Sequence, residues 1–226
     1  MIRKLSRRWS VPVPPSSSAR ERADAILPRL EGTKEIAILG GSFNPPHVGH
    51  ALLALAILAT QDPDELWILP VADHPFGKDS AAFEHRIAMC KLAFGRLPQV
   101  RVLELEDVMD RPNYTVKTLR MIRELRPNLN LSLIIGSDIL PELDRWSEPS
   151  QLPNLARIIA VPRQGAPEMK PAVDIPLQIY KGFTLPMVSS SQIVASLRKS
   201  ADVEGLLDLR VLEYIRSAGL YKPQSA

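Results

Sequence analysis

Apolar residues in this chain fall into short runs with two alternating periods, and turn residues separate them. Residues 35–39 form a β-rich run that ends in Gly40-Gly41. Residues 48–60 carry helical spacing, and 66–71 are an almost unbroken apolar run. A second helix is predicted over 81–96, with Ile87, Met89, Leu92 and Ala93 mostly on one side. A strand follows at 100–105 and a helix at 114–125, stopped by Pro127. The runs 131–135 and 156–161 read as strands, and 178–180 as a weaker one. Helices near 190–198 and 207–218 complete the pattern. Continuous apolar strands alternating with helices predict an α/β fold, a Rossmann-like doubly wound parallel sheet covered on both faces. Such sheets bind ligands beyond the carboxyl ends of their strands, often where the strand order reverses.

Before residue 33 the pattern changes. Residues 10–18 are Pro- and Ser-rich and read as a flexible linker. Residues 19–30 can form a short helix, interrupted near Pro28. The chain is therefore divided into an extension, 1–32, expected to be disordered, and one domain, 33–226.

Charge sharpens that division. The net charge is +3, but residues 1–22 hold six basic side chains and one acid. The body is thus close to neutral, which argues against a nucleic-acid partner. The Arg- and Ser-rich start resembles an organelle transit peptide, with a plain cytoplasmic extension as the preferred reading. The longest apolar run, 51–59, is far short of a bilayer span. Cys90 is the sole cysteine, so a disulfide scaffold is excluded and a buried thiol is expected. The expected location is cytoplasmic, with small-molecule nucleotides as partners, no membrane, and a homo-oligomer left open.

Chemistry concentrates in Gly40-Gly41-Ser42-Phe43-Asn44-Pro45-Pro46-His47-Val48-Gly49-His50. The glycines let a strand turn sharply beside a ligand. Helix follows at once, so its free N–H groups form an anion site. His47 and His50, three apart, reach one face. Phosphoryl transfer asks a protein chiefly for positioning and charge stabilisation. The loop is neither a Walker A loop nor Gly-x-Gly-x-x-Gly. A zinc pair would need further ligands, and only His74 and His85 remain, so no protein-held metal is expected.

The run 41–50 resembles the H-x-G-H signature of nucleotidyltransferases, and its flanks resemble the bacterial nicotinate-nucleotide adenylyltransferases. The likeness runs in blocks from about Glu35 to Tyr221: Glu84-His85-Arg86-Ile87-Ala88-Met89, Tyr114-Thr115-Val116-Lys117-Thr118-Leu119, Gly136-Ser137-Asp138 with Trp146, Val188-Ser189-Ser190-Ser191-Gln192-Ile193, and Tyr214-Ile215 with Leu220-Tyr221. The resemblance implies adenylyl transfer from ATP to nicotinate mononucleotide, or its amide, in NAD biosynthesis, with Mg2+ riding on the ATP phosphates. It assigns catalysis to His47 and His50. It assigns ATP and phosphate contacts to Gly41, Ser42, Phe43, Gly136, Asp138, Ser189, Ser190, Ser191 and Ile193. It assigns the mononucleotide to Lys78, Tyr114, Thr115, Trp146 and Arg163. Plainer readings stand beside these: Asp138, Asn113 and the serines as helix caps, Trp146 as core, Arg163 as a solvated arginine.

Two positions depart from the family pattern. Val194 stands where the family has an arginine that meets the triphosphate, which removes a contact worth ~1.5–3 kcal/mol. Arg198, one turn on, is the candidate replacement. Lys117 stands where the family has aspartate. Two alternatives follow: another adenylyltransferase of the superfamily, such as one acting on pantetheine phosphate, or a nucleotide-binding paralogue with weak catalysis.

Overall fold

A computed structural model describes residues 16–72, 80–165 and 170–222. Six parallel strands form its centre: β1 (Lys34–Gly41), β2 (Glu65–Pro70), β3 (Val100–Val102), β4 (Leu129–Gly136), β5 (Arg157–Val161) and β6 (Gln178–Ile179). Their order is β3-β2-β1-β4-β5-β6, so the chain winds outward from β1 and then returns to its other side. The order reverses between β1 and β4, which pair in register from Lys34 with Leu129 to Leu39 with Ile134.

Successive strand residues face opposite ways, and the core divides accordingly. Ile36, Ile38, Trp67, Leu69, Leu131, Leu133 and Ile158 enter one apolar cluster. Ala37, Leu39, Leu66, Ile68, Ile134 and Ile159 enter the other. Both faces are therefore buried, as the unbroken apolar runs require. Helices α1 (Ser17–Ile26), α2 (Val48–Gln61), α3 (Phe83–Phe94), α4 (Thr115–Leu125), α5 (Leu152–Leu155), α6 (Ser190–Arg198) and α7 (Leu209–Ser217) surround the sheet. A third cluster joins α3, α6 and α7 through Met89, Ile193, Val211 and Ile215.

The ordered body begins earlier than Thr33. Helix α1 is capped by Ser16 and buries Ala19 and Ala23, spaced one turn apart. Arg126, at the end of α4, donates to the carbonyls of Asp24, Leu27 and Pro28 and to the Asp24 carboxylate. Arg20 pairs with Glu124, and Ser16 donates to Asp110. Within the segment before residue 33, α1 thus packs on the same core as the rest of the described chain. Two smaller expectations also shift. Strand β3 stops at Val102, and a 3-10 helix, Leu105–Val108, follows it. Asn113 does not cap α4; Tyr114 holds that position, and the Asn113 amide donates to the Glu106 carbonyl.

Candidate active site

Strand β1 delivers the loop 42–47 to the carboxyl edge of the sheet beside the reversal point. Phe43 lies in the left-handed region, φ 46°, and its ring is almost fully buried. A non-glycine residue holds such a backbone only where its surroundings enforce it. Here the ring packs in the second cluster and tilts against His50 at 4.9 Å between centroids. Arg86 supports the loop from beneath. Its side chain, 2% exposed, donates to the carbonyls of Ser42, Val71, Ala72 and Ala81.

His47 is the N-cap residue of α2, and His50 lies in its first turn. Their rings stack with centroids 3.8 Å apart and planes 33° apart. The His47 backbone N–H donates to His50 Nδ1. That bond places the proton of a neutral His50 on Nε2, leaving it as a donor. His47 Nδ1 is buried and has no hydrogen-bond partner among the described residues. The residue between Val48 and His50 must be small: a Cβ on Gly49 would come 3.0 Å from the His47 ring. Burial pushes His47 down to about 4, and the nearby Arg163 charge adds to the shift. His50 is also held well below its ordinary value, by burial, then by His47 and Arg163. Both imidazoles are therefore neutral at pH 7 in the ligand-free protein.

Asp138 stands just past β4, in the first turn of a 3-10 helix, Ser137–Arg145. It is not the N-cap; Gly136 is. A Cβ at Gly136 would lie 2.3 Å from Asp138 Oδ1, so only glycine leaves room for that carboxylate. Arg163, just past β5, donates to Asp138 Oδ2 at 2.8 Å and to the Val188 carbonyl. Its backbone N–H donates to Ser137 Oγ. The solvated-arginine reading therefore fails for Arg163. Asp138 Oδ1 is buried and has no hydrogen-bond partner among the described residues.

Ser189 caps α6 by accepting from the Gln192 N–H, and Ser190 donates to the Pro45 carbonyl at 2.9 Å. The N-terminus of α6 thus abuts the loop that begins α2, and two helix N-termini converge on one place. Ser191 is exposed. The Ile193 side chain is 1% exposed and packs with Met89 and Val211 in the third cluster. Val194 and Arg198 are half-buried on α6.

At the other end, Tyr114 and Trp146 both pack half-buried against the first core cluster. Thr115 opens α4. The Lys117 ammonium sits 5.4 Å from the Tyr114 ring centroid and donates to the Pro112 carbonyl. Glu106, 6% exposed, accepts from the Ala72 N–H and the Thr118 hydroxyl. It ties the end of β2 to α4, and burial raises its carboxyl above the usual range. Lys78 lies outside the described residues. Among the described residues, no group of three or more His, Cys, Asp or Glu side chains is placed to hold a metal. No described helix is long and apolar enough to cross a membrane.

The motif reading missed Arg86, Glu106 and the neighbours that tie Asn44 into the loop. Arg86 had a signal in the sequence: it stands immediately before the apolar run Ile87-Ala88-Met89-Cys90, within the block Glu84-His85-Arg86-Ile87-Ala88-Met89.

The reversal-point site thus pairs two facing imidazoles with two helix N-termini, and it carries the H-x-G-H run His47-Val48-Gly49-His50. Residues 38–196 match the cytidylyltransferase-like family. The chain is 43% identical over 196 residues to "Probable nicotinate-nucleotide adenylyltransferase" of Anaeromyxobacter dehalogenans (strain 2CP-1 / ATCC BAA-258), covering 85% of this chain and 100% of that one. It is 32% identical to nicotinate-nucleotide adenylyltransferase of Bacillus subtilis (strain 168), covering 84% of this chain and 99% of that one. A solved structure of Plasmodium falciparum nicotinic acid mononucleotide adenylyltransferase, complexed with NaAD, superposes with a TM-score of 0.67 at 21% identity. It covers 83% of this chain and 97% of that one, and it bears on the fold. The chain belongs to the nicotinate-nucleotide adenylyltransferase family.

Proposed function

We propose that this protein transfers the adenylyl group of ATP to nicotinate mononucleotide, releasing pyrophosphate. The observation that carries the reading is the stacked His47–His50 pair at the start of α2, beside the N-terminus of α6. In the proposed step, a 5′-phosphate oxygen of the mononucleotide forms a bond to the α-phosphorus of ATP. The bond from that phosphorus to the bridging oxygen breaks, and pyrophosphate leaves with the electron pair. His50 Nε2–H donates to the α-phosphate oxygens as charge grows on them, beside the positive end of the α2 dipole. His47 is oriented by the same stack. Gly41, Ser42 and Phe43 offer backbone to the nucleotides, and the N–H groups that open α6 at Ser190 and Ser191 face the triphosphate. Mg2+ carried on the ATP phosphates would supply charge neutralisation there, with few protein ligands needed.

Asp138 Oδ1 is set to accept from a nucleotide hydroxyl, since it is buried and unmatched among the described residues. Tyr114, Thr115 and Trp146 form the pyridine end, with Lys78 assigned there by family likeness alone. Arg163 holds Asp138 and Val188 in place, so it orients the site and adds positive charge near the phosphates.

The test is pyrophosphate release with ATP, Mg2+ and, separately, nicotinate mononucleotide, nicotinamide mononucleotide and phosphopantetheine. The reading expects release with the pyridine nucleotides, fastest with the acid. Binding of ATP with no release from either pyridine nucleotide would contradict it and favour a nucleotide-binding paralogue.

A further inference from the structure

Residues after α7 turn back at Gly219, φ 64°, with the Leu220 N–H bonded to the Ile215 carbonyl. That turn carries Leu220 and Tyr221 onto the third cluster, against α3 and α6. Tyr221 sits at φ 53°, a backbone region a tyrosine occupies only when its neighbours hold it there. Its hydroxyl donates to Asn44 Oδ1, which also accepts from the Ala81 N–H at 3.0 Å. Burial raises the phenol well above its ordinary value, so it stays a donor at any working pH. Asn44 lies between Phe43, with its left-handed backbone, and Pro45, whose carbonyl receives Ser190. A residue 177 positions away thus fixes the middle of the loop that presents His47 and His50.

We infer that Tyr221 is a positioning residue for adenylyl transfer, acting through Asn44 on the loop 42–47. The inference rests on the transferase reading for its kinetic consequence but not for its structural one. Packing in the third cluster alone would need only the ring. The hydroxyl reaches past that packing to the loop, and a lost bond there loosens the histidines rather than the cluster.

The test compares the whole chain with Tyr221→Phe, which keeps the ring, and with Leu220→Ala, which weakens the same cluster without touching Asn44. Turnover and amide hydrogen exchange at His50 and Ala51 are measured together, since both N–H groups bond the His47 carbonyl. Tyr221→Phe is expected to lower kcat about tenfold, the scale of one well-placed hydrogen bond, with both KM values within about twofold. Exchange at the two amides is expected to rise at least about fivefold. Leu220→Ala is expected to lower the thermal midpoint while kcat stays within about twofold. In an Asn44→Ala background, Tyr221→Phe is expected to change kcat no further. Unchanged exchange in Tyr221→Phe overturns the inference, as do equal kcat losses in both variants or additive losses with Asn44→Ala. An inactive wild type would instead overturn the transferase reading, and the exchange result would still decide whether Tyr221 holds the loop.

Discussion

His47 and His50 are buried against each other and against Phe43, beside a fixed arginine. Their depressed basicity has a sign that can be checked. In the unfolded chain a histidine takes a proton near pH 6.5, while folded His47 resists until about 4. Between those values the unfolded state binds more protons, so stability is present above about pH 6.5 and is lost as pH falls towards 4. The slope approaches ~1.4 kcal/mol per pH unit for each such histidine. Urea unfolding at pH 7 and pH 5 should show a lower free energy at pH 5, with a shallower fall in His47→Gln; a flat profile would contradict the buried neutral pair. Gly136 offers a second check. Gly136→Ala sets a methyl 2.3 Å from Asp138 Oδ1, so the carboxylate must move. Turnover or ATP affinity should drop at least about tenfold, measured as kcat/KM, while the sheet stays folded. These residue-level facts were partly legible. The spacing of His47 and His50 gave a shared face, but the stack and the fixed tautomer depend on Phe43 and on burial, which no local pattern encodes.

At the scale of elements, α1 and α6 carry the main lessons. Helix α1 offers only a thin stripe, Ala19, Ala23 and Leu27, and reads as weakly amphipathic. Its fixing groups lie about a hundred positions away, at Asp110, Glu124 and Arg126. That distance is why a short helix was readable there while its membership of the core was not. Arg126→Met leaves three carbonyl partners, one buried and two part-buried, without their donor and should lower the unfolding free energy by about 2–3 kcal/mol. Denaturant unfolding measures it, and kcat should stay near the wild-type value because the contact is remote from the histidines. On α6, Val194 lies one turn beyond Ser190, whose hydroxyl meets the loop at Pro45. An arginine there points along the same face. Val194→Arg should lower the KM for ATP about tenfold; an unchanged KM would mean that the triphosphate takes another path, past Arg198.

Across the whole molecule, the sheet order explains why residues so far apart in sequence act together. Winding outward from β1 and back through β4 brings the ends of β1, β4 and β5 to one edge. His47, Asp138 and Arg163 follow those three strands directly, and Ser190 joins them through Pro45. Alternating apolar runs foretold this architecture, because each buried strand had to be apolar on both faces. The loop chemistry was equally legible, since three glycines, two prolines and two histidines sit within eleven positions. What was not legible is the support from behind: Arg86 clasping four carbonyls, Glu106 bridging β2 and α4, and Tyr221 reaching Asn44. Those contacts join segments tens of residues apart, and side-chain type alone does not choose the partner.

The central claim is that the histidine pair promotes direct transfer of the α-phosphoryl group of ATP to a pyridine mononucleotide. It is tested by a single-turnover reaction with ATP labelled at the α-phosphorus, nicotinate mononucleotide and Mg2+, run on the wild type and on His50→Ala. The account predicts that label passes into the dinucleotide, that none stays on acid-quenched protein, and that His50→Ala slows the transfer at least about a hundredfold. Label retained on the protein, or transfer at an almost unchanged rate in His50→Ala, would contradict it.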